Sequence, residues 1–113
     1  MDNVTAQRRN NRRLLARHAC TLTVQYRSEI GWHPATAMDL SRNGCRLRVG
    51  EHLRRDSTLN IVFGRSSSPD TGAVAVQVLG TVMWCRPEGL SYQAGLAFSG
   101  DTNPLDVILQ ELL

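Results

Sequence analysis

Short runs in which apolar and polar residues alternate, each closed by a turn signal, recur along most of this chain. Successive side chains of a strand point to opposite faces, so a period of two marks one buried and one wet face. The first run covers residues 19–27 and puts Cys20, Leu22, Val24 and Tyr26 on one face. Glu29, Ile30 and Gly31 turn the chain into a return strand over 32–39, and residues 41–44 make the next turn. Residues 45–49 alternate again with their arginines outward; 50–57 read as a polar turn and 59–63 as a fourth strand. Residues 64–72, rich in Ser, Pro, Asp and Gly, read as an exposed loop. Residues 73–86 suit one long strand bent at Gly80, residues 87–89 a turn, and residues 92–98 a closing strand. About six short strands with turns between them predict a mainly all-β fold, a small antiparallel barrel or sandwich. The end is different. Asn103 and Pro104 suit an N-cap and the first helical position. Leu105, Ile108, Leu109 and Leu112 then share one face of a C-terminal helix that covers the barrel.

One domain accounts for 113 residues, and 42% apolar against 20% charged content suits a folded body. No apolar run approaches the roughly 20 residues that span a bilayer, so no membrane span is expected. The start is polar and basic without an apolar h-region, which predicts no secretory signal and a cytoplasmic location. Cys20, Cys45 and Cys85 are too few and too far apart for a disulfide framework or a zinc site, and each reads as a small core hydrophobe.

Charge is concentrated at the start. Residues 1–18 hold Arg8, Arg9, Arg12, Arg13 and Arg17 against the single acid Asp2, while the remainder is close to neutral. Every one of the 13 basic residues is Arg. A guanidinium presents a rigid planar fork of donors that matches phosphates and guanine edges. Residues 1–17 are therefore expected to be a flexible basic arm and 18–113 the folded body. Residues 8–17 contain good helix formers, but so short a helix is marginal alone. Arg13 and Arg17, four apart, would share a helical face or bracket a ligand. Arg8/Arg12 and Arg9/Arg13 have the same spacing, and a solvated basic tail explains all three.

A second motif follows in residues 39–44. Asp39 supplies a carboxylate, Ser41 a hydroxyl, and Gly44 permits close backbone approach. Asp and Ser before Gly are also ordinary turn chemistry. Read functionally, Asp39 accepts from a purine N–H edge while Ser41 and nearby backbone N–H groups donate to the same ligand. Arm and turn together suit a ligand that is both anionic and a purine.

In order and spacing, the chain resembles the PilZ domain family of receptors for the bacterial second messenger cyclic di-GMP. The matching residues are Arg13 and Arg17 (RxxxR), then Asp39, Ser41 and Gly44 (DxSxxG), then a closing strand with Gly95, Leu96 and Phe98. The resemblance spans about residues 12–99. It implies an antiparallel barrel of about six strands with a terminal helix. It also implies that Arg13 and Arg17 hold guanine edges and phosphates opposite the Asp39, Ser41 and Gly44 turn. Arg12 stands where family members with Arg take an intercalated ligand dimer. Trp84, one strand before the last, would offer a stacking or barrel-wall surface, although a partly buried core aromatic is the plainer reading. Arg86 reads as a solvated edge charge.

The expected function is cyclic di-GMP reception, in which ligand orders the arm and alters contact with an effector protein. The alternative is an adaptor of the same fold that does not bind the nucleotide. A nucleic-acid-binding barrel is disfavoured because aromatic platforms for single strands are scarce. No enzyme and no cofactor are expected: His18, His33 and His52 are scattered, and no nucleophile–base pair or metal-ligand spacing occurs.

Overall fold

The computed structural model describes residues 16–64 and 75–112. Six strands follow one another: β1 (His18–Ser28), β2 (Gly31–Leu40), β3 (Gly44–Val49), β4 (Thr58–Gly64), β5 (Ala75–Glu88) and β6 (Ser91–Ser99). A 3₁₀ turn (Asn103–Leu105) leads into a short helix, α1 (Asp106–Leu112). The strands close into an antiparallel barrel in the order β1-β2-β3-β6-β5-β4. The predicted fold class is therefore the observed one. Residues 8–15 of the expected 8–17 helix, the arm with Arg12 and Arg13, and most of the 64–72 loop lie outside the described residues; Ala16 and Arg17, at the end of that span, are not helical.

Alternation builds the core as expected. Val24 and Tyr26 of β1 point inward with Leu47, Ile61, Phe63, Val78, Val82 and Leu96 from the other strands. Leu105, Ile108 and Leu109 join the same core, with Leu112 packed at its margin, so the terminal helix covers the barrel through the predicted face. Cys45 is buried, and Cys20 and Cys85 are half-buried. Burial pushes the Cys45 thiol well up from its ordinary value, and Asp39 adds to the shift.

Local details depart from expectation in three places. Gly80 carries no register irregularity: it pairs with Leu59 and Phe98 and faces the interior, where a Cβ would meet Ile61 Cδ1 at 2.9 Å. The irregularity in β5 comes later, between Val82 and Trp84, where Met83 is an extra residue opposite β6. Pro87 and Glu88 still belong to β5, paired with Tyr92 and Ser91, so the turn narrows to Gly89 and Leu90. Thr102, not Asn103, occupies the helical N-cap, and the Asp101 carboxylate accepts the Asn103 N–H at 2.9 Å.

Two bulges decide what the outer surface displays. In β2, inward Ala35 and Ala37 are followed by Met38, an extra residue opposite β3, after which Leu40 points inward and Asp39 outward. In β5, inward Val76, Val78 and Val82 are followed by Met83 and Trp84, both outward. A strict period of two would aim Asp39 and Trp84 at the core. One inserted residue reverses the phase of each strand at that point.

Candidate functional site

The register across the barrel gathers the outward residues into one row. Asp39 on β2 pairs with Arg46 on β3, Arg46 with Gly95 on β6, and Gly95 with Trp84 on β5. Paired residues on one face stand about 4.5–5.5 Å apart between Cβ atoms. A carboxylate, a guanidinium, a bare stretch of backbone and an indole thus lie in sequence on one wall.

Arg17, just before β1, completes the acidic end of the row. Its Nη1 donates to Asp39 Oδ1 at 3.0 Å, and its side chain remains more than half exposed. Asp39 itself is mostly covered, and Arg46 Nε approaches its other oxygen, Oδ2, at 3.1 Å. That approach is an ion pair without the alignment of a hydrogen bond, because the Arg46 Nε–H is buried and has no aligned acceptor. The same carboxylate, after burial, raises the Cys20 thiol above its ordinary value.

The 41–44 turn is held from within. Ser41 is buried, its N–H donates to the Gly44 carbonyl at 2.9 Å, and its Oγ accepts the Asn43 N–H at 3.1 Å. The Asn43 carbonyl in turn accepts Phe98 N–H at 2.8 Å, stitching the turn to β6. Gly44 is required by contact: a Cβ there would overlap the Leu96 carbonyl oxygen on the neighbouring strand. Arg42 leaves the turn in the opposite direction and grips Asp106 of α1 with both ends of its fork, Nε to Oδ1 at 3.1 Å and Nη2 to Oδ2 at 2.5 Å.

At the far end of the row the Trp84 indole lies directly on Gly95, where any Cβ would collide with the ring. Trp84 is 39% exposed, which makes it a surface aromatic and not the core residue of the plainer reading. Arg86 is also not a free edge charge. Its guanidinium carbon sits 5.1 Å from the centre of the Trp84 ring, and Nη2 donates to Gln93 Oε1 at 2.9 Å.

Between these ends lies an open hollow of about 380 Å³. Arg17, Ser41 and Asn43 form one side, Met83 and Trp84 the other, and residues 95–97 the floor. A larger hollow of about 570 Å³ runs beside Thr21–Gln25, Val62 and Gly64, with no ionisable side chain among the described residues of its wall. Chemistry therefore favours the smaller one for a charged ligand, although volume alone would not. Among the described residues no group of three or more His, Cys, Asp or Glu side chains is placed to hold a metal, and no helix is long and apolar enough to cross a membrane.

Of the predicted site residues, Arg17, Asp39, Ser41, Gly44 and Trp84 are brought to this face, while Arg12 and Arg13 lie outside the described residues. Sequence reading missed Arg46, whose place beside Asp39 depends on cross-strand register, and Gly95 as the bed of the indole. The family model for the PilZ domain matches residues 7–113. This chain belongs to the PilZ family. Two solved structures share the fold of this PilZ domain. One is the Bacillus subtilis inhibitor of motility (MotI/DgrA), with a TM-score of 0.65 and 16% identity over 85% of this chain and 46% of that one. The other is K. pneumonia MrkH in its apo state, with a TM-score of 0.64 and 20% identity over 86% of this chain and 48% of that one. The PilZ domain described here thus spans about half the length of either protein. No curated protein sequence matches it.

Proposed function

We propose that this PilZ domain is a cytoplasmic receptor for cyclic di-GMP and signals through contact with another protein. One observation carries the reading. The RxxxR and DxSxxG motifs, 22 residues apart where they touch, meet through Arg17 and Asp39 at the edge of a hollow that ends on an exposed tryptophan. The ligand has two guanines and two phosphates, so it needs acceptors for guanine N–H groups, forks for O6/N7 edges and phosphates, and a flat apolar surface. Asp39 supplies the first, Arg17 and Arg13 the second, and Trp84 the third. Ser41 and Gly44 hold the turn in shape and bring its backbone close to the ligand. Arg12 favours an intercalated pair of ligands.

Arg17 pairs with Asp39, and on this reading the nucleotide competes for both groups, exchanging that ion pair for contacts to the ligand. The leading segment folds over the ligand in the exchange, and its new surface is what a partner reads. Isothermal calorimetry with cyclic di-GMP tests this directly. Binding in the micromolar range or tighter, with two ligands per chain, is the expected result, and Arg13→Ala should abolish it. A silent titration of the folded wild-type protein refutes the reading.

A further inference from the structure

Arg46 sits at the centre of the row, between the carboxylate and the indole, and no sequence motif points to it. Its Nε lies 3.1 Å from Asp39 Oδ2 while Arg17 holds Oδ1. The two guanidinium groups differ in freedom. Arg17 is 55% exposed and precedes the first strand; Arg46 is 35% exposed and is fixed in the middle of β3 with a pairing partner on either side. Arg46 Nε–H is a buried donor with no aligned acceptor. Leaving such a group unpaired is costly, so a small rotation of the carboxylate that brings Oδ2 into line is favourable.

On the reading that this face binds cyclic di-GMP, we infer that Arg46 is a positioning residue that makes the site select guanine. When Arg17 leaves Asp39 for the ligand, Arg46 remains as the cation on Oδ2. It then takes a full hydrogen bond, turns Oδ1 outward, and holds the carboxylate as an acceptor for guanine N1–H and N2–H. Adenine has no N–H at N1 and no amino group at C2, so a fixed acceptor there rejects it. A site built to bond a donor discriminates strongly against an analogue that lacks it. Without Arg46 the carboxylate can swing, and much of the difference between the two bases is lost.

The test compares cyclic di-GMP with cyclic di-AMP by calorimetry on the full chain. The wild-type protein should prefer the guanine ligand by at least about a hundredfold, since two donors are at stake. Arg46→Gln should weaken cyclic di-GMP at least about tenfold, equivalent to about 1.4 kcal/mol, and shrink the preference by a similar factor. Arg46→Lys, which keeps a cation beside Oδ2, should restore most of the preference. Arg48→Gln removes an equal charge two residues further along the strand and should leave the preference unchanged. A second readout requires no substitution: the Arg46 Nε–H resonance of the wild-type protein should shift and become protected from exchange when cyclic di-GMP is added. If Arg46→Gln folds and keeps the wild-type preference, or weakens both ligands equally, the inference is wrong. It is wrong as well if Arg48→Gln erases the preference or the Arg46 resonance ignores the ligand. Failure of the wild-type protein to bind cyclic di-GMP is a different result and removes the functional reading itself.

Discussion

Arg17 and Gly44 belong to the same candidate site, yet their side chains act in different ways. The Arg17–Asp39 pair has one partner more than half exposed, and such pairs contribute at most about 1 kcal/mol to folding. Arg17→Ala should therefore leave the urea midpoint almost where it was while weakening cyclic di-GMP at least about tenfold, the scale of a lost guanidinium fork. A large drop in stability would show instead that Arg17 is part of the scaffold. Gly44 behaves in the opposite way. Its missing Cβ is what lets β3 lie against the Leu96 carbonyl, and backbone cannot yield as a side-chain tip does. Gly44→Ala should cost about 1–3 kcal/mol, the usual price of overpacking, in a denaturant titration without ligand. Its effect on binding then follows from a displaced turn, since Gly44 presents no side chain to a ligand.

At the scale of the element, the bulges convert ordinary strands into a site. Met83 is the extra residue of β5: Val82 pairs with Leu96 and Trp84 with Gly95, so β6 has no counterpart for it. Deleting Met83 should let those two pairs join into regular register with Trp84 still on Gly95. A folded protein that loses about 1 kcal/mol, the scale of an average substitution, is expected by thermal or urea unfolding. Deleting Gln77, an outward residue paired with Val62, instead removes a paired position and reverses the facing on one side of the gap. With Val78 and Val82 worth about 1.5–3 kcal/mol each in burial, that variant should unfold. Equal tolerance of the two deletions would mean that the bulge has no special place in β5. These bulges also mark how far sequence reading reaches. Val24 and Tyr26, or Leu105, Ile108 and Leu109, are legible because periodicity depends only on neighbours along the chain. Asp39 and Ser41 were legible as a motif. The outward turn of Trp84 was not, because a one-residue slip leaves Met83 and Trp84 looking like any alternating pair. Arg46 was illegible for a related reason: its contact is set by which strand lies beside which, and period two said only that it faced outward.

The whole barrel is closed, with β4 meeting β1 over Val24–Arg27, and a closed sheet has no free edge to rearrange. The turn and the cover are tied together by Arg42 and Asp106, which adds a side-chain clamp to the rigidity of the closed sheet. That rigidity rests on a core containing two proton-bearing groups held neutral. Tyr26 is buried, and its hydroxyl donates to Glu51 Oε1 at 2.7 Å; burial first, then that carboxylate, hold its pKa well above the ordinary 10.0. The buried Cys45 thiol is held above its ordinary 9.0 in the same direction. At a pH between the unfolded and folded values, the unfolded chain has released these protons and the folded one has not. Fewer protons bound in the unfolded state means that stability falls as pH rises. The contribution is complete below about pH 8–9 and is lost progressively above pH 9–10, by at most about 1.4 kcal/mol per pH unit for each group. Urea midpoints measured from pH 7.5 to 10.5 should hold steady and then decline. Cys45→Ala and Tyr26→Phe should each make the decline shallower, whatever they cost at neutral pH. A midpoint that stays level to pH 10.5 would show that neither group keeps its proton by virtue of the fold.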